Sequence, residues 1–185
     1  QLDTTAPAAP AITTNDGNGF STNNGVLTLQ GTCAADVEGI KVNGSSTGVT
    51  FTVGQTTWTY TETVTGEGPH TFTVTALDGA GNESESDSIT VDFDLVGPSV
   101  SSVAVTGPRT VVVVFNEALG AGADVAANYT VSGSGRGTLP ANPATAVAGG
   151  SSATLTWTTG EMTIGGDVVI TAGAGVQDAA GNGMG

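Results

Sequence analysis

The feature that most constrains this chain is a strict alternation of threonine with apolar residues. It appears in Val26-Leu27-Thr28-Leu29, in Gly48-Val49-Thr50-Phe51-Thr52-Val53, in Thr57-Trp58-Thr59-Tyr60-Thr61 and in Thr71-Phe72-Thr73-Val74-Thr75. A period of two puts every second side chain on one face, so each run reads as a strand with one buried side. Thr is stiff at its β-branch and fits the pleated surface. Turn clusters separate the runs: Asn15-Asp16-Gly17-Asn18-Gly19, Asn43-Gly44-Ser45-Ser46 and Gly66-Glu67-Gly68-Pro69. Residues 88–93 close the series. Roughly seven short strands at this spacing predict an antiparallel sandwich.

A second series follows, with strands expected over residues 100–105, 110–115, 129–132, 153–158 and 167–171. Residues 133–150 are rich in Gly, Pro and Ala and read as loop with one weak strand. The join lies near Asp94-Leu95-Val96-Gly97-Pro98, where Pro98 stiffens the chain. The expected architecture is all-β: two tandem antiparallel β-sandwiches, residues 1–98 and 99–185. Charged residues are only 11%, against about 25% in ordinary soluble domains. That leaves too few Lys, Arg and Glu to surface long helices, which excludes helical bundles and doubly wound α/β folds.

The charge is lopsided, with 17 acidic residues against 3 basic ones, and a net charge of −14. The basic residues are Lys41, Arg109 and Arg136. Such a chain repels phosphate backbones and anionic bilayers, so nucleic acid and membrane insertion are excluded as modes of action. The fitting charged partner is a cation; the alternative is plain solvation. Cys33 is the only cysteine. It allows no internal disulfide, and it reads as a small apolar group in the interior. His70 is the only histidine, so neither a cysteine cluster nor a multi-histidine site can bind zinc. No apolar run approaches the ~20 residues that span a bilayer. No signal-peptide pattern is visible, and a chain starting at Gln1 reads as a processed product or a stretch of something longer.

Two motifs recur. Asp3-Thr4-Thr5-Ala6-Pro7 and Asp94-Leu95-Val96-Gly97-Pro98 share D-x-x-x-P. Asp78-Gly79-Ala80-Gly81-Asn82 and Asp178-Ala179-Ala180-Gly181-Asn182 share D-x-A-G-N. The repetition predicts two tandem units of one architecture. With Gly31-Thr32, Trp58-Thr59-Tyr60 and residues 71–82, the first half resembles bacterial Ig-like repeats of secreted and surface-attached proteins. The second half resembles another bacterial Ig-like type through Val114-Phe115-Asn116-Glu117-Ala118-Leu119, Asn128-Tyr129-Thr130 and residues 176–182.

The resemblance implies two Ig-like β-sandwiches in which the start of the domain and its B–C and F–G loops gather at one end. In the first domain that end holds Asp3, Asp36, Glu38, Asp78 and Asn82. In the second it holds Asp94, Glu117, Asp178 and Asn182. Calcium takes about 6–8 oxygens, which such carboxylates, an amide, backbone carbonyls and water supply. Both sets are candidate calcium ligands, the second more than the first. The same D-x-A-G-N is also a good tight loop in which Asp and Asn cap their own backbone.

Other chemistry is weakly signalled. Residues 15–19 echo part of a calcium-binding EF-hand loop without its remaining spacing or terminal Glu, and read as a turn. Trp58 and Trp157 alternate with Thr, which favours core over sugar stacking. Lys41 sits near a turn and reads as exposed rather than as an isopeptide donor. Asn43, Asn82 and Asn128 match the glycosylation pattern, which a chain rich in Gly, Ser and Thr generates by chance. No nucleophile elbow accompanies His70 and no phosphate-cradling glycine loop opens a helix, so catalysis is not expected.

Two structural expectations follow. The first core should contain Leu29, Ile40, Trp58, Phe72 and Val74; the second should contain Val103, Val113, Phe115, Tyr129, Leu155 and Trp157. The second series also has only Gly183-Met184-Gly185 after its D-x-A-G-N, too few residues for a closing strand. The preceding strand is therefore expected to have an open edge, filled by continuation of the chain or by a strand from a neighbouring chain.

The function the resemblance implies is structural and extracellular or cell-surface. It is that of a stalk, spacer or fibre-forming segment of an adhesin-like protein, with neighbouring repeats, copies of itself, surface glycans or proteins as partners. The alternatives are a non-catalytic carbohydrate- or partner-binding module and a subunit of a cell-surface filament assembling by strand addition.

Overall fold

The computed structural model describes residues 2–185. Its contacts divide into two compact units, the first ending at Leu95 and the second spanning Val96–Gly185. Pro98, expected to close the first domain, belongs to the second.

The first unit has eight strands: β1 (Ala11–Ile12), β2 (Phe20–Thr22), β3 (Val26–Thr32), β4 (Gly39–Val42), β5 (Val49–Thr50), β6 (Thr57–Thr63), β7 (Gly68–Leu77) and β8 (Asp87–Phe93). They form two sheets, ordered β1-β3-β6-β5 and β2-β8-β7-β4. The alternation seen in the sequence becomes the inner face of each sheet. Leu27, Leu29 and Gly31 on β3 are buried while the residues between them are exposed, and β8 buries Ile89, Val91 and Phe93 in the same way. All five residues expected in this core lie in it. Gly31 has a steric reason to be glycine, because a Cβ there would lie 2.1 Å from the Trp58 ring.

Two features depart from expectation. Residues 48–53 were expected as one strand, but only Val49–Thr50 pair, and the chain turns with Gln55 N–H donating to Thr52 O. One strand pair is also not antiparallel: β2 runs parallel to β8, matching Phe20 with Val91 and Thr22 with Phe93. A tight turn before β2, with Asn15 and Asp16 at φ 50° and 54°, carries the chain from the first sheet to the second. The chain therefore arrives beside the last strand and runs with it.

The second unit has β9 (Val100–Gly107), β10 (Thr110–Phe115), β11 (Tyr129–Ser132), β12 (Thr145–Gly149), β13 (Ser152–Thr156) and β14 (Val169–Ala172). Its sheets are ordered β12-β13-β10-β9 and β11-β14. Val113, Phe115, Tyr129, Leu155 and Trp157 form its core as expected. Val103 does not: it is 37% exposed. It faces the core side, opposite Val113, which is fully buried. β9 is an edge strand, however, and nothing among the described residues of this unit covers Val103.

Candidate cation site

The two D-x-A-G-N segments fold into the same loop. In the first unit, Asp78 Oδ1 accepts from the backbone N–H groups of Ala80 and Asn82 at 2.9 and 2.8 Å, and Oδ2 accepts from Asn82 Nδ2 at 2.8 Å. In the second, Asp178 Oδ1 accepts from Gly181 and Asn182 N–H at 2.6 and 2.9 Å, and Oδ2 from Asn182 Nδ2 at 2.9 Å. Asp78 and Asp178 also donate their backbone N–H to the carbonyls of Asn82 and Asn182. Gly81 and Gly181 sit at φ +87° and +95°, which L side chains rarely adopt, so the fourth position of the motif calls for glycine. The capping reading of these loops is thus real in both units. The hydrogen bond from Asn82 is the main reason the Asp78 carboxyl titrates below the usual carboxylate range.

The loops differ in what surrounds them. Asn82 Nδ2 also reaches the carbonyls of Asp3 and Thr5 at 3.3 and 3.4 Å. Three oxygens therefore converge on one amide nitrogen, and only a donor fits there. The Asn82 nitrogen ties the start of the unit to its F–G loop. Asp3 turns its carboxylate onto Thr5 N–H, and Asp36 is exposed. Glu38 holds its carboxylate beside Gly79, where a Cβ would lie 2.8 Å from Oε1. Among the described residues of this unit, these acids do not form a group of three within ligand reach.

In the second unit the aspartate is buried: Asp178 is 2% exposed. The loop is locked from behind, with Gly120 N–H donating to Gln177 O at 2.7 Å and Leu119 bridging to Asp178. That bridge brings Glu117 to the loop, and carboxylate oxygens of Glu117 and Asp178 lie within 4.8 Å of each other. Two oxygens each ~2.4 Å from one calcium can be at most ~4.8 Å apart, so this pair is within calcium span. The segment entering the unit runs against the same loop. A Cβ on Gly97 would lie 2.0 Å from Gly183 O, and Ser99 N–H donates to Asn116 Oδ1 at 2.7 Å. Asp94 lies just upstream of that segment. Asn182 Nδ2 donates to Asp178 Oδ2 as Asn82 Nδ2 does to Asp78, which fixes the direction of the carboxylate.

The remaining candidates resolve on geometry. Trp58 and Trp157 are 1% and 2% exposed, and their ring N–H groups donate to Thr32 O and Pro140 O. Neither offers a face to a sugar. Lys41 is paired with Glu83 at 3.0 Å, and Cys33 is half-buried against the first core. His70 stacks edge-on to Phe93. Residues 15–18 make a turn closed by their own side chains. Among the described residues no helix is long and apolar enough to cross a membrane.

A family model described as the bacterial Ig-like domain matches residues 3–95. No curated protein matches the chain. Solved structures with a similar path include fibronectin(III)-like modules of Clostridium thermocellum CbhA (21% identity, 46% of this chain and 95% of that one, TM-score 0.35). The tandem Ig domains A164-A165 of titin match at 13% identity over 91% of this chain and 97% of theirs, TM-score 0.34. The D00-D0 domain of intimin matches at 13% identity over 89% and 98%, TM-score 0.34.

Proposed function

Because the chain belongs to the bacterial Ig-like domain family, we propose that it is a non-catalytic structural segment, a stalk or spacer, of an extracellular bacterial surface protein. We further infer that its second unit is stiffened by calcium. Bacterial Ig-like domains occur in surface proteins, and both tryptophans being core argues for a load-bearing role over aromatic glycan binding. The observation that carries the calcium reading is the buried Asp178 with Glu117 within calcium span. Asn182 holds Asp178 in place, and carbonyls and water would complete the shell. A divalent ion also relieves the repulsion of bringing two carboxylates together.

The test is melting with calcium and with chelator. Calcium at 100 times its dissociation constant stabilises a folded domain by ~2.7 kcal/mol. That gain should appear in the wild type, vanish in Asp178→Ala and persist in Asp124→Ala. An unchanged midpoint with no bound ion by metal analysis sinks the calcium reading and leaves the structural one standing. The structural reading is tested by sedimentation and glycan binding: it expects a monomer that retains no surface glycan, and specific glycan retention would replace it with a binding module.

A further inference from the structure

Native sheets blunt the edges they leave in water, and several edges here follow that rule. β1 and β5 are two residues long and β2 is three. β4 carries Lys41. β9, with Val103 and Val105 37% and 53% exposed, meets β10 through register shifts at both ends of the pairing. β12 has none of these devices. It is five residues long and pairs with β13 on one side without a shift, from Thr145↔Thr156 to Gly149↔Ser152. Its sequence, Thr145-Ala146-Val147-Ala148-Gly149, holds no charge and no proline. The uncharged region is wider than the strand: residues 137–160 contain no Asp, Glu, Lys or Arg, and neither do β9 and β10 in the same sheet.

The backbone of β12 faces two ways. Its turn to β13 is the pair Gly150-Ser151, so Gly149 and Ser152 flank a two-residue hairpin and form a hydrogen-bonded pair. Alternation then gives Thr145, Val147 and Gly149 to β13. At the far end Ala144 N–H donates to Thr156 O at 2.8 Å, which turns that carbonyl toward β12 as the alternation requires. The N–H and C=O of Ala146 and Ala148 point away from β13, and among the described residues no hydrogen bond reaches them. The side chains of Ala146 and Ala148 pack on the core, while Val147 is 65% exposed on the outer face.

We propose that the free edge of β12 pairs antiparallel with the same edge of a second copy of this chain, about a two-fold axis at Val147. The strand is close to a palindrome of small residues, which suits a contact made of the same patch on both sides. Ala146 of each copy meets Ala148 of the other, and each such pair exchanges both its N–H···O bonds. Val147 faces Val147 across the axis as a non-hydrogen-bonded pair, the closer kind, and the two side chains cover each other. Charge decides where copies meet. At −14 they repel, but β12 lies in an uncharged sheet, and charges beyond the Debye length of ~8 Å are screened at physiological salt. A five-residue edge falls far short of the ~1,200 Å² that stable complexes bury. The chain is therefore a monomer when dilute, and the edges join where copies are held side by side, at effective concentrations of about a millimolar. The pairing depends on neither the stalk nor the calcium reading; only its use between anchored copies rests on the stalk.

Disulfide trapping in the 185-residue chain tests the contact, in a Cys33→Ser background that leaves one introduced thiol. In a non-hydrogen-bonded antiparallel pair the Cα atoms lie ~4.5 Å apart, within disulfide reach. Val147→Cys should therefore form a covalent dimer at least about tenfold faster than Thr145→Cys, which shares the exposed face but lies opposite glycine in the paired edge. Adding Ala148→Pro removes an N–H that β13 does not use and should bring the Val147→Cys rate down to that of Thr145→Cys. Should that variant fail to fold, amide exchange on the isotope-labelled wild-type chain keeps the test. Protection at Ala146 and Ala148 should grow with chain concentration, and Val147→Lys, which sets two like charges face to face, should remove it. Equal trapping at the two cysteine positions overturns the proposal, as does exchange at both alanines that ignores concentration. Equal protection by synthetic peptides of the 100–105 and 144–150 sequences overturns it in favour of an edge that takes any uncharged strand.

Discussion

Both units close an end with the same five-residue loop, yet the two loops sit in different chemistry. In the first, the Asn82 amide nitrogen draws in the carbonyls of Asp3 and Thr5 together with the Asp78 carboxylate. In the second, the aspartate is buried and a glutamate from the end of β10 stands beside it. One motif thus closes on its own aspartate in both units, around a half-buried Asp78 in one and a buried Asp178 with a second carboxylate within reach in the other. The D-x-A-G-N pattern specifies the loop backbone; what the loop holds depends on residues far away in sequence. The units also differ in closure, because β8 covers one side of the first core and nothing in the second unit does the same for Val103 and Val105.

The largest expected effect tests that difference in closure. Phe72→Ala in the closed first core should cost about 3–5 kcal/mol, close to the whole stability of a small domain. Val103→Ala on the open side of the second should cost under about 1 kcal/mol, since the side chain already meets water. Denaturant unfolding of both variants measures this, and similar losses would erase the contrast. Next in size is the calcium-dependent ~2.7 kcal/mol expected of the second unit alone. A gain carried equally by the first unit, read from exchange protection around Asp78, would mean that both loops take a cation and would erase the contrast. Smaller again is Asn82→Ala, which removes the Asn82 amide. With each net hydrogen bond worth about 1 kcal/mol and these groups partly solvated, the loss should be about 1–2 kcal/mol in thermal melts.

The smallest effect is acid sensitivity. Asp78 is held below the usual carboxylate range chiefly by Asn82, and Glu83 chiefly by Thr75 and then Lys41. Groups with lowered folded-state values stabilise fully above the unfolded carboxylate pKa of about 4 and lose that contribution as pH falls through the lowered value. The first unit should therefore weaken as pH drops below about 4. Asn82→Ala should flatten that slope, and an unchanged slope would separate the titration from the Asn82 amide.

Much of this was readable in the alternation of apolar residues with Thr. Residues 71–75 fix which side chains face inward, and the first core follows from them. Val103 shows the limit of that reading. Periodicity assigned it to the inner face, where it does lie, but whether an inner face is covered depends on which strand comes to rest beside it. The same limit hid β2: nothing local to Phe20, Ser21 and Thr22 says that they pair with Val91, Asp92 and Phe93. In the site, the recurrence of Asp and Asn marked both loops and their likeness. The direction of the Asn82 amide was not legible, because the oxygens that dictate it come from the start of the chain. The proximity of Glu117 to Asp178 was legible only through the family resemblance, since the bridge at Leu119 that creates it has no signature of its own.

The parallel pairing of β2 with β8 has a mechanical consequence. β2 lies early in the first unit and β8 is its last strand, so tension between the unit's two ends pulls them in opposite directions along their shared axis. The bonds linking Phe20–Thr22 to Val91–Phe93 are then loaded together, in shear, instead of one after another as when a hairpin is peeled open. A unit built this way resists stretching with a patch of three residues, and it yields only when that whole patch slips.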